Sequence, residues 1–274
     1  MLYQYSYRLG AYAPSLDPDA KAYIAAVETA LSSSISADQK NAINDFFKTG
    51  KSDGWYSSIK RLYLPIWADA AANAIDMVTR TSGTFPVPGG VTHASGYVQG
   101  NGSTGYFDMG ASPSSLGLTP SSGSSFYLKY ETGTGVFSRL MGARNSSSQS
   151  FSMSQSSTSH DVDYCNETAG RFIYSSSFLD GIFIYSRYAG DRRYEQRDAS
   201  GFSLLQSDTV ADAGIIPTLN LYALARNSGG SATNFTDHKL GLYGISLGLS
   251  ATQSQNFTLA LKDLWQTASG LTLP

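Results

Sequence analysis

RFIYSSSFLDGIFIYSRY, residues 171–188, decides the fold. Two runs rich in β-branched and aromatic residues, Arg171 to Tyr174 and Gly181 to Tyr188, flank a short serine-containing break with no room for a helix. Similar runs recur at Phe126 to Tyr130, Gly135 to Met141, Leu219 to Ala225 and Lys239 to Leu249, separated by Gly, Ser, Asn and Pro clusters. Short strands at this spacing, without long helices between them, predict a mainly β fold: an antiparallel two-sheet sandwich over about residues 80–249. Ile182, Ile184, Leu219, Leu221, Leu240, Leu242 and Ile245 are its predicted core. The serine-rich segments 121–125 and 145–159 read as loops or edge turns.

Both flanks of the sandwich read differently. Residues 17–63 carry helical signals. Asp17 before Pro18 is a cap followed by proline at the first helical position, and Tyr23, Ile24, Val27 and Leu31 share one face. Ser36 and Gln39 form a capping box for a second helix carrying Ile43, Phe46 and Phe47, ended by Gly50. Trp55, Ile59, Leu62 and Tyr63 predict a third short helix before Pro65. At the other end, Ser250 and Gln253 predict a last helix with Phe257, Leu261, Leu264 and Trp265 on its apolar face. Ahead of the helices, Tyr3, Tyr5 and Tyr7 alternate with polar residues as in a strand, followed by Arg8. The expected organisation is an arm over 1–16, a helical lead over 17–75, and a sandwich with its terminal helix over 76–274.

Composition narrows the functional classes. Of 274 residues, 41% are hydrophobic, enough for a sizeable core, while only 15% are charged, so the polar surface comes mostly from hydroxyl and amide groups. The formal net charge is -2 and no basic stripe exists, which argues against nucleic acid as a partner. No stretch approaches the roughly 20 apolar residues of a membrane helix, so no membrane insertion is expected. The polar, aromatic start from Met1 to Gly10 lacks the apolar segment of a secretory signal. One cysteine, Cys165, excludes an intrachain disulfide and reads as a small buried side chain.

Three segments resemble a widespread group of phage and prophage structural proteins. The first is DPDAKAYIAAV (17–27) with SADQKNAINDFFKTGKSDGWYSSIKRLYLPI (36–66), similar to that group's helical opening. The second is VTHASGYVQGNGSTGYFDMGASPS (91–114), similar to its Gly/Asn-rich first strand pair. The third is LYALARNSGG (221–230) with FTDHKLGLYGISLGLSATQSQNFTLALKDLWQ (235–266), similar to its last strands and closing helix. The resemblance implies a concanavalin-like or laminin-G-like jelly-roll sandwich located in a virion, at the tail, neck, baseplate or capsid surface.

The candidate chemistry is sparse. A glycosidase needs two carboxylates facing one cleft, roughly 5–10 Å apart. Glu131, Glu167 and Glu195 are isolated, and Glu28 lies in the helical lead. Tyr194-Glu195-Gln196-Arg197-Asp198 reads as a solvated hairpin. His93, His160 and His238 lie in no metal motif, while Asp161 and Asp163 share one strand face and offer calcium only a partial ligand set. No Gly-x-Ser-x-Gly elbow is present, and GNGSTG at 100–105 reads as a turn. The five Asn-x-Ser/Thr sequons at Asn101, Asn145, Asn166, Asn234 and Asn256 read as polar turns. These readings predict no catalytic, cofactor or metal site.

The leading expectation is therefore a non-enzymatic structural protein of a tailed phage, homo-oligomeric and contacting other virion proteins. Its arm residues Tyr3, Tyr5, Tyr7 and Arg8 are the predicted docking site. The alternative is a lectin-like adhesin module binding a receptor or host-surface glycan, for which 18 Tyr, 13 Phe and 3 Trp supply sugar-stacking candidates. A polysaccharide-degrading enzyme is the third reading.

Overall fold

The computed structural model describes residues 15–131, 133, 137–167, 171–176, 179–210 and 214–274. The arm residues Tyr3, Tyr5, Tyr7 and Arg8 lie outside them, as does the arm's expected strand. The architecture is a two-sheet β-sandwich with helices laid over one side.

Sheet 1 contains β1 (Ile59–Tyr63), β2 (Val91–Ala94), β3 (Tyr97–Gly100), β5 (Gly123–Glu131), β10 (Gly181–Tyr188), β11 (Asp191–Asp198), β12 (Gly201–Asp208) and β16 (Lys239–Ser246). Its order is β12-β11-β10-β5-β16-β3-β2, and β1 shares the far edge of β16 with β3. Sheet 2 contains β4 (Phe107–Asp108), β6 (Phe137–Ser146), β7 (Gln149–Ser156), β8 (His160–Tyr164), β9 (Arg171–Tyr174), β13 (Tyr222–Ala223), β14 (Arg226–Ser228) and β15 (Ser231–Thr233). Its order is β15-β14-β6-β7-β8-β9, with β13 bridging β4 and β6. Pairing is antiparallel except where the short β14 runs parallel to β6.

Period-two alternation assigns the two faces of sheet 1. Tyr127, Phe183, Tyr185, Leu240, Tyr243 and Ile245 point toward sheet 2, where they meet Met141, Phe151, Met153, Val162, Tyr164 and Phe172. Phe126, Leu128, Ile182, Ile184 and Leu242 point the other way, into the helices. These are α1 (Pro18–Leu31), α2 (Ala37–Ser52), the one-turn α3 (Ala70–Asn73) and α4 (Ala251–Ser269). Sheet 1 is thus buried on both faces, which accounts for its near-continuous apolar runs. Phe46, Trp55, Phe126 and Phe257 join helices to sheet through ring contacts of 4.8–6.4 Å.

The helix ends form as their sequences dictate. Asp17 accepts from the Asp19 N–H with Pro18 behind it, and Ser36/Gln39 and Ser250/Gln253 are both reciprocal capping boxes. Six of the seven predicted core residues are fully buried; Leu219 is only half-buried, in a connection rather than a strand. Cys165 is buried.

Three local readings are corrected. The segment 55–63 forms a single 3₁₀ turn, Tyr56–Ser58, and then β1, because Ile59 to Tyr63 completes the edge of β16 instead of continuing as a helix. The segment 145–159 is mostly a strand, since Phe151, Met153 and Gln155 alternate inward between Ser150, Ser152 and Ser154. The charged run at 194–198 is an interior strand paired on both sides. There Glu195 is fully buried between sheet 1 and α4, accepting from Ser254 Oγ and held by Arg193 at 2.5 Å.

Candidate functional site: the outer face of sheet 2

The outer face of sheet 2 faces away from the core and from every helix. Its register aligns one row of residues across six strands. Asp108 on β4 lies opposite Tyr222 on β13, and Tyr222 opposite Gly142 on β6. Gly142 lies opposite Ser152 on β7, Ser152 opposite Asp163 on β8, and Asp163 opposite Arg171 on β9. Neighbouring strands lie about 4.8 Å apart, so the row spans roughly 24 Å. A second row, Arg139–Ser154–Asp161–Ile173, runs beside it.

Small residues floor the middle of this face, and guanidinium groups lie over them. Arg139 Nη1 donates to Asp163 Oδ2 at 2.9 Å, to Ser152 Oγ at 2.8 Å and to Ser154 Oγ at 3.2 Å. Ser152 Oγ also donates to Asp163 Oδ2, at 2.8 Å, and Arg171 Nε donates to Asp163 Oδ1 at 2.7 Å. One carboxylate therefore organises two arginines. Glu167 does the same for another pair: Arg226 Nη1 donates to its Oε1 at 2.5 Å, and Arg144 Nε lies 3.0 Å from that oxygen. Gly142 is required beneath them, because a Cβ there would sit 2.7 Å from Ser152 Cβ and 3.0 Å from Arg226 Cγ.

Depth grades the cluster. Asp163 is fully buried and the Arg139 side chain is 6% exposed, whereas Arg144 and Arg171 form the rim at 31% and 28%. Four guanidinium groups here meet three carboxylates, those of Asp161, Asp163 and Glu167. The imbalance registers at Arg226, whose pKa is lowered first by burial and then by the nearby charge of Arg139. At Arg171 burial also acts to lower the pKa, but the hydrogen bond and charge of Asp163 outweigh it and raise the pKa above its ordinary value. The remaining N–H groups of such guanidiniums match the geometry of a planar anion such as a carboxylate.

The row ends in aromatics. Tyr106 and Tyr222 have ring centroids 4.5 Å apart, and Phe235 lies 6.3 Å from Tyr106. Tyr106 and Phe235 are half-buried, leaving part of each ring to solvent. Asn220 Nδ2 donates to Asp108 Oδ2 at 3.3 Å beside them, and Asn227 Nδ2 donates to the Asn220 carbonyl. Burial, followed by Asp108, pushes the Tyr222 hydroxyl up to about 12. Its phenol therefore stays protonated and able to donate.

The residues singled out from the sequence divide clearly. Asp161 and Asp163 do share one strand face, but arginines hold them, in place of a cation's oxygen shell. Glu167 joins this site, while Glu28 pairs with Lys40, Glu131 with Lys239, and Glu195 is structural. His160 lies between the sheets with its Nδ1 3.0 Å from Tyr194 Oη, and His93 contacts Asn73 and Phe85. Among the described residues no group of three or more His, Cys, Asp or Glu is placed to hold a metal. Sequence reasoning missed Arg139, Arg144, Arg171 and Arg226. The signal for their setting was the serine alternation of residues 150–154.

No protein-family model and no curated protein matches the chain. A solved structure does share its fold. The chain is similar to Trypanosoma rangeli sialidase in complex with 2,3-difluoro-KDN, at TM-score 0.51 and 10% identity over 82% of this chain and 40% of that one. It is also similar to the K499G mutant of NanB sialidase from Streptococcus pneumoniae (TM-score 0.42, 16% identity, 59% of this chain, 27% of that one). A third similar structure is the Ruminococcus gnavus IT-sialidase CBM40 bound to α2,3-sialyllactose (TM-score 0.41, 8% identity, 51% and 83%). The chain spans well under half the length of both sialidases.

Two expectations are corrected by this finding. The motifs read as marking a phage structural protein belong to a sandwich shared, over 82% of the chain, with a sialidase, so the fold does not single out a virion role. The expectation of no enzymatic turnover falls for the same reason: a fold shared with a sialidase gives no ground for excluding it.

Proposed function

We propose that the protein is a carbohydrate-binding β-sandwich that takes an acidic glycan across the outer face of sheet 2. One observation carries the reading: four arginines, anchored by Asp163 and Glu167, converge over a floor of Gly142, Ser150, Ser152 and Ser154. A sugar carboxylate would meet the rim guanidiniums of Arg144 and Arg171, which are already held by Glu167 and by the buried Asp163 and so lose little freedom on binding. Neighbouring rings would run toward Tyr106, Tyr222 and Phe235, where an aromatic face can stack on the apolar side of a pyranose. Asn220 and Asn227 add amide groups at that end. The Trypanosoma rangeli sialidase that shares this fold supports a sialic acid as the first acidic sugar to try.

Titration with 3′-sialyllactose against lactose, followed by NMR or calorimetry, tests the proposal. Sialyllactose should bind at least about tenfold more tightly, and Arg171→Ala and Arg144→Ala should each remove most of that preference, a change of about 1.4 kcal/mol or more. Free sialic acid released in the same samples measures turnover directly. Equal binding of both sugars, or a preference untouched by both substitutions, would overturn the assignment.

A further inference from the structure

The opposite side of the molecule carries a second feature that the glycan face does not use. Helices α2 and α4 run antiparallel. Gln39, at the start of α2, donates through Nε2 to the carbonyl of Ala268 at the end of α4. Gln253, at the start of α4, donates to the carbonyl of Gly54 just beyond α2. Between them lies an open groove of about 380 Å³. Its floor is apolar: Ala42, Phe46, Ala260 and Leu264. Leu259 stands beside it, 44% exposed, where an unpartnered surface helix would normally carry a polar residue.

The groove's rim is acidic. Asp38 and Asp45 lie seven residues apart on one face of α2, Asp53 follows at its C-cap, and Asp263 lines the groove from α4. All four are exposed, and none takes part in a salt bridge among the described residues. None of the three lysines of α2 lines the groove: Lys40 pairs with Glu28, Lys51 with Asp17 and Asp19, and Lys48 lies with Lys40 and Asn44 on the neighbouring side of the helix.

We infer that this groove docks a basic amphipathic helix of a partner protein. Two antiparallel helices with an apolar seam accept a third lying along it, whose side chains at i, i+3, i+4 and i+7 fill the groove. The four rim aspartates, without a salt bridge among the described residues, select lysine or arginine on the flanks of that helix. They also select against a second copy of this chain, because self-pairing on a two-fold axis would bring two acidic rims together. The groove lies beyond sheet 1, and the arginine face lies beyond sheet 2. Occupancy of one therefore leaves the other open, and the protein can hold a partner on one side and present its glycan face on the other.

The test uses the full chain and two synthetic helical peptides. Both carry leucines at i, i+3, i+4 and i+7, one with flanking lysines and the other with flanking glutamates. The lysine peptide should bind, with amide shifts confined to α2 and α4, and should weaken severalfold between 50 and 500 mM salt. The double variant Asp45→Lys/Asp263→Lys changes only exposed positions and should weaken binding at least about tenfold, while sialyllactose binding stays unchanged. Leu259→Glu should weaken it too. The inference is overturned if both peptides bind equally, if the double variant binds like the parent, or if the shifts map outside the groove. It is equally overturned if the protein alone forms a dimer that Leu259→Glu dissolves, which would make the occupant a second copy.

Discussion

Replacing Asp163 by Asn probes the foundation of the glycan face directly. Asp163 is fully buried and accepts from Arg139, Arg171 and Ser152 within 2.7–2.9 Å. The Arg139 side chain is only 6% exposed, so the substitution leaves a desolvated guanidinium facing a neutral amide. Removing one partner of a buried pair costs about 3–5 kcal/mol. The Arg171 contact adds at most about 1 kcal/mol, because that side chain reaches solvent at 28% exposure. Asn keeps one acceptor oxygen, which places the expected loss near the lower bound, about 3 kcal/mol. At roughly 2–4 °C per kcal/mol for a chain of this size, the melting temperature should fall by about 6–12 °C.

Urea unfolding followed by circular dichroism gives the free energy, and thermal scans give the midpoint. Pairing the change with Arg139→Met separates charge from packing. The double variant Asp163→Leu/Arg139→Met removes both buried ions together, so it should recover part of what Asp163→Asn loses. A loss below about 1 kcal/mol for Asp163→Asn would show that Arg139 is not desolvated against Asp163, and the reasoning about a buried foundation would fail.

Burial, then the charge of Lys129, lowers the His238 pKa to about 4, and its Nδ1 accepts from the Gly133 N–H. Its unfolded value is near 6.5, so the unfolded chain binds more protons between the two values. Its contribution to stability is therefore full above pH 6.5 and is lost as pH falls toward 4, by up to about 3 kcal/mol; His238→Asn should flatten that slope in urea titrations across pH 4–7. Gly142→Ala should cost about 1–3 kcal/mol through the clash with Ser152 and Arg226, and should weaken sialyllactose binding in the same preparation. Ser250→Ala removes the hydroxyl that caps α4 and should cost about 1 kcal/mol by thermal unfolding, with glycan binding intact.

What could be read from the sequence follows the range of the interactions. Capping at Asp17, Ser36 and Ser250 is decided within three residues, and all three caps form as read. The core residues of β10 and β16 were legible because both strands are near-continuous apolar runs. Reading failed where the decisive partner is remote. Trp55 to Tyr63 has an apolar spacing compatible with a helix, and only the open edge of β16, some 180 residues later, draws it into a strand. Tyr194 to Asp198 looks solvated because it is charged, but Glu195, paired locally with Arg193, is covered by Ser254 of α4, 59 residues away. The arginine face has the same character. Arg226 and Glu167 are 59 residues apart, and Arg139 and Asp163 are 24 apart. Local sequence shows only a serine-rich stretch, which resembles a loop. The register of β6, β7 and β8 turns those serines into the floor on which the guanidiniums rest. A search of such sequences for sites should therefore test serine runs for period-two alternation with apolar residues, because a strand that exposes only hydroxyls leaves room above it for long charged side chains from its neighbours.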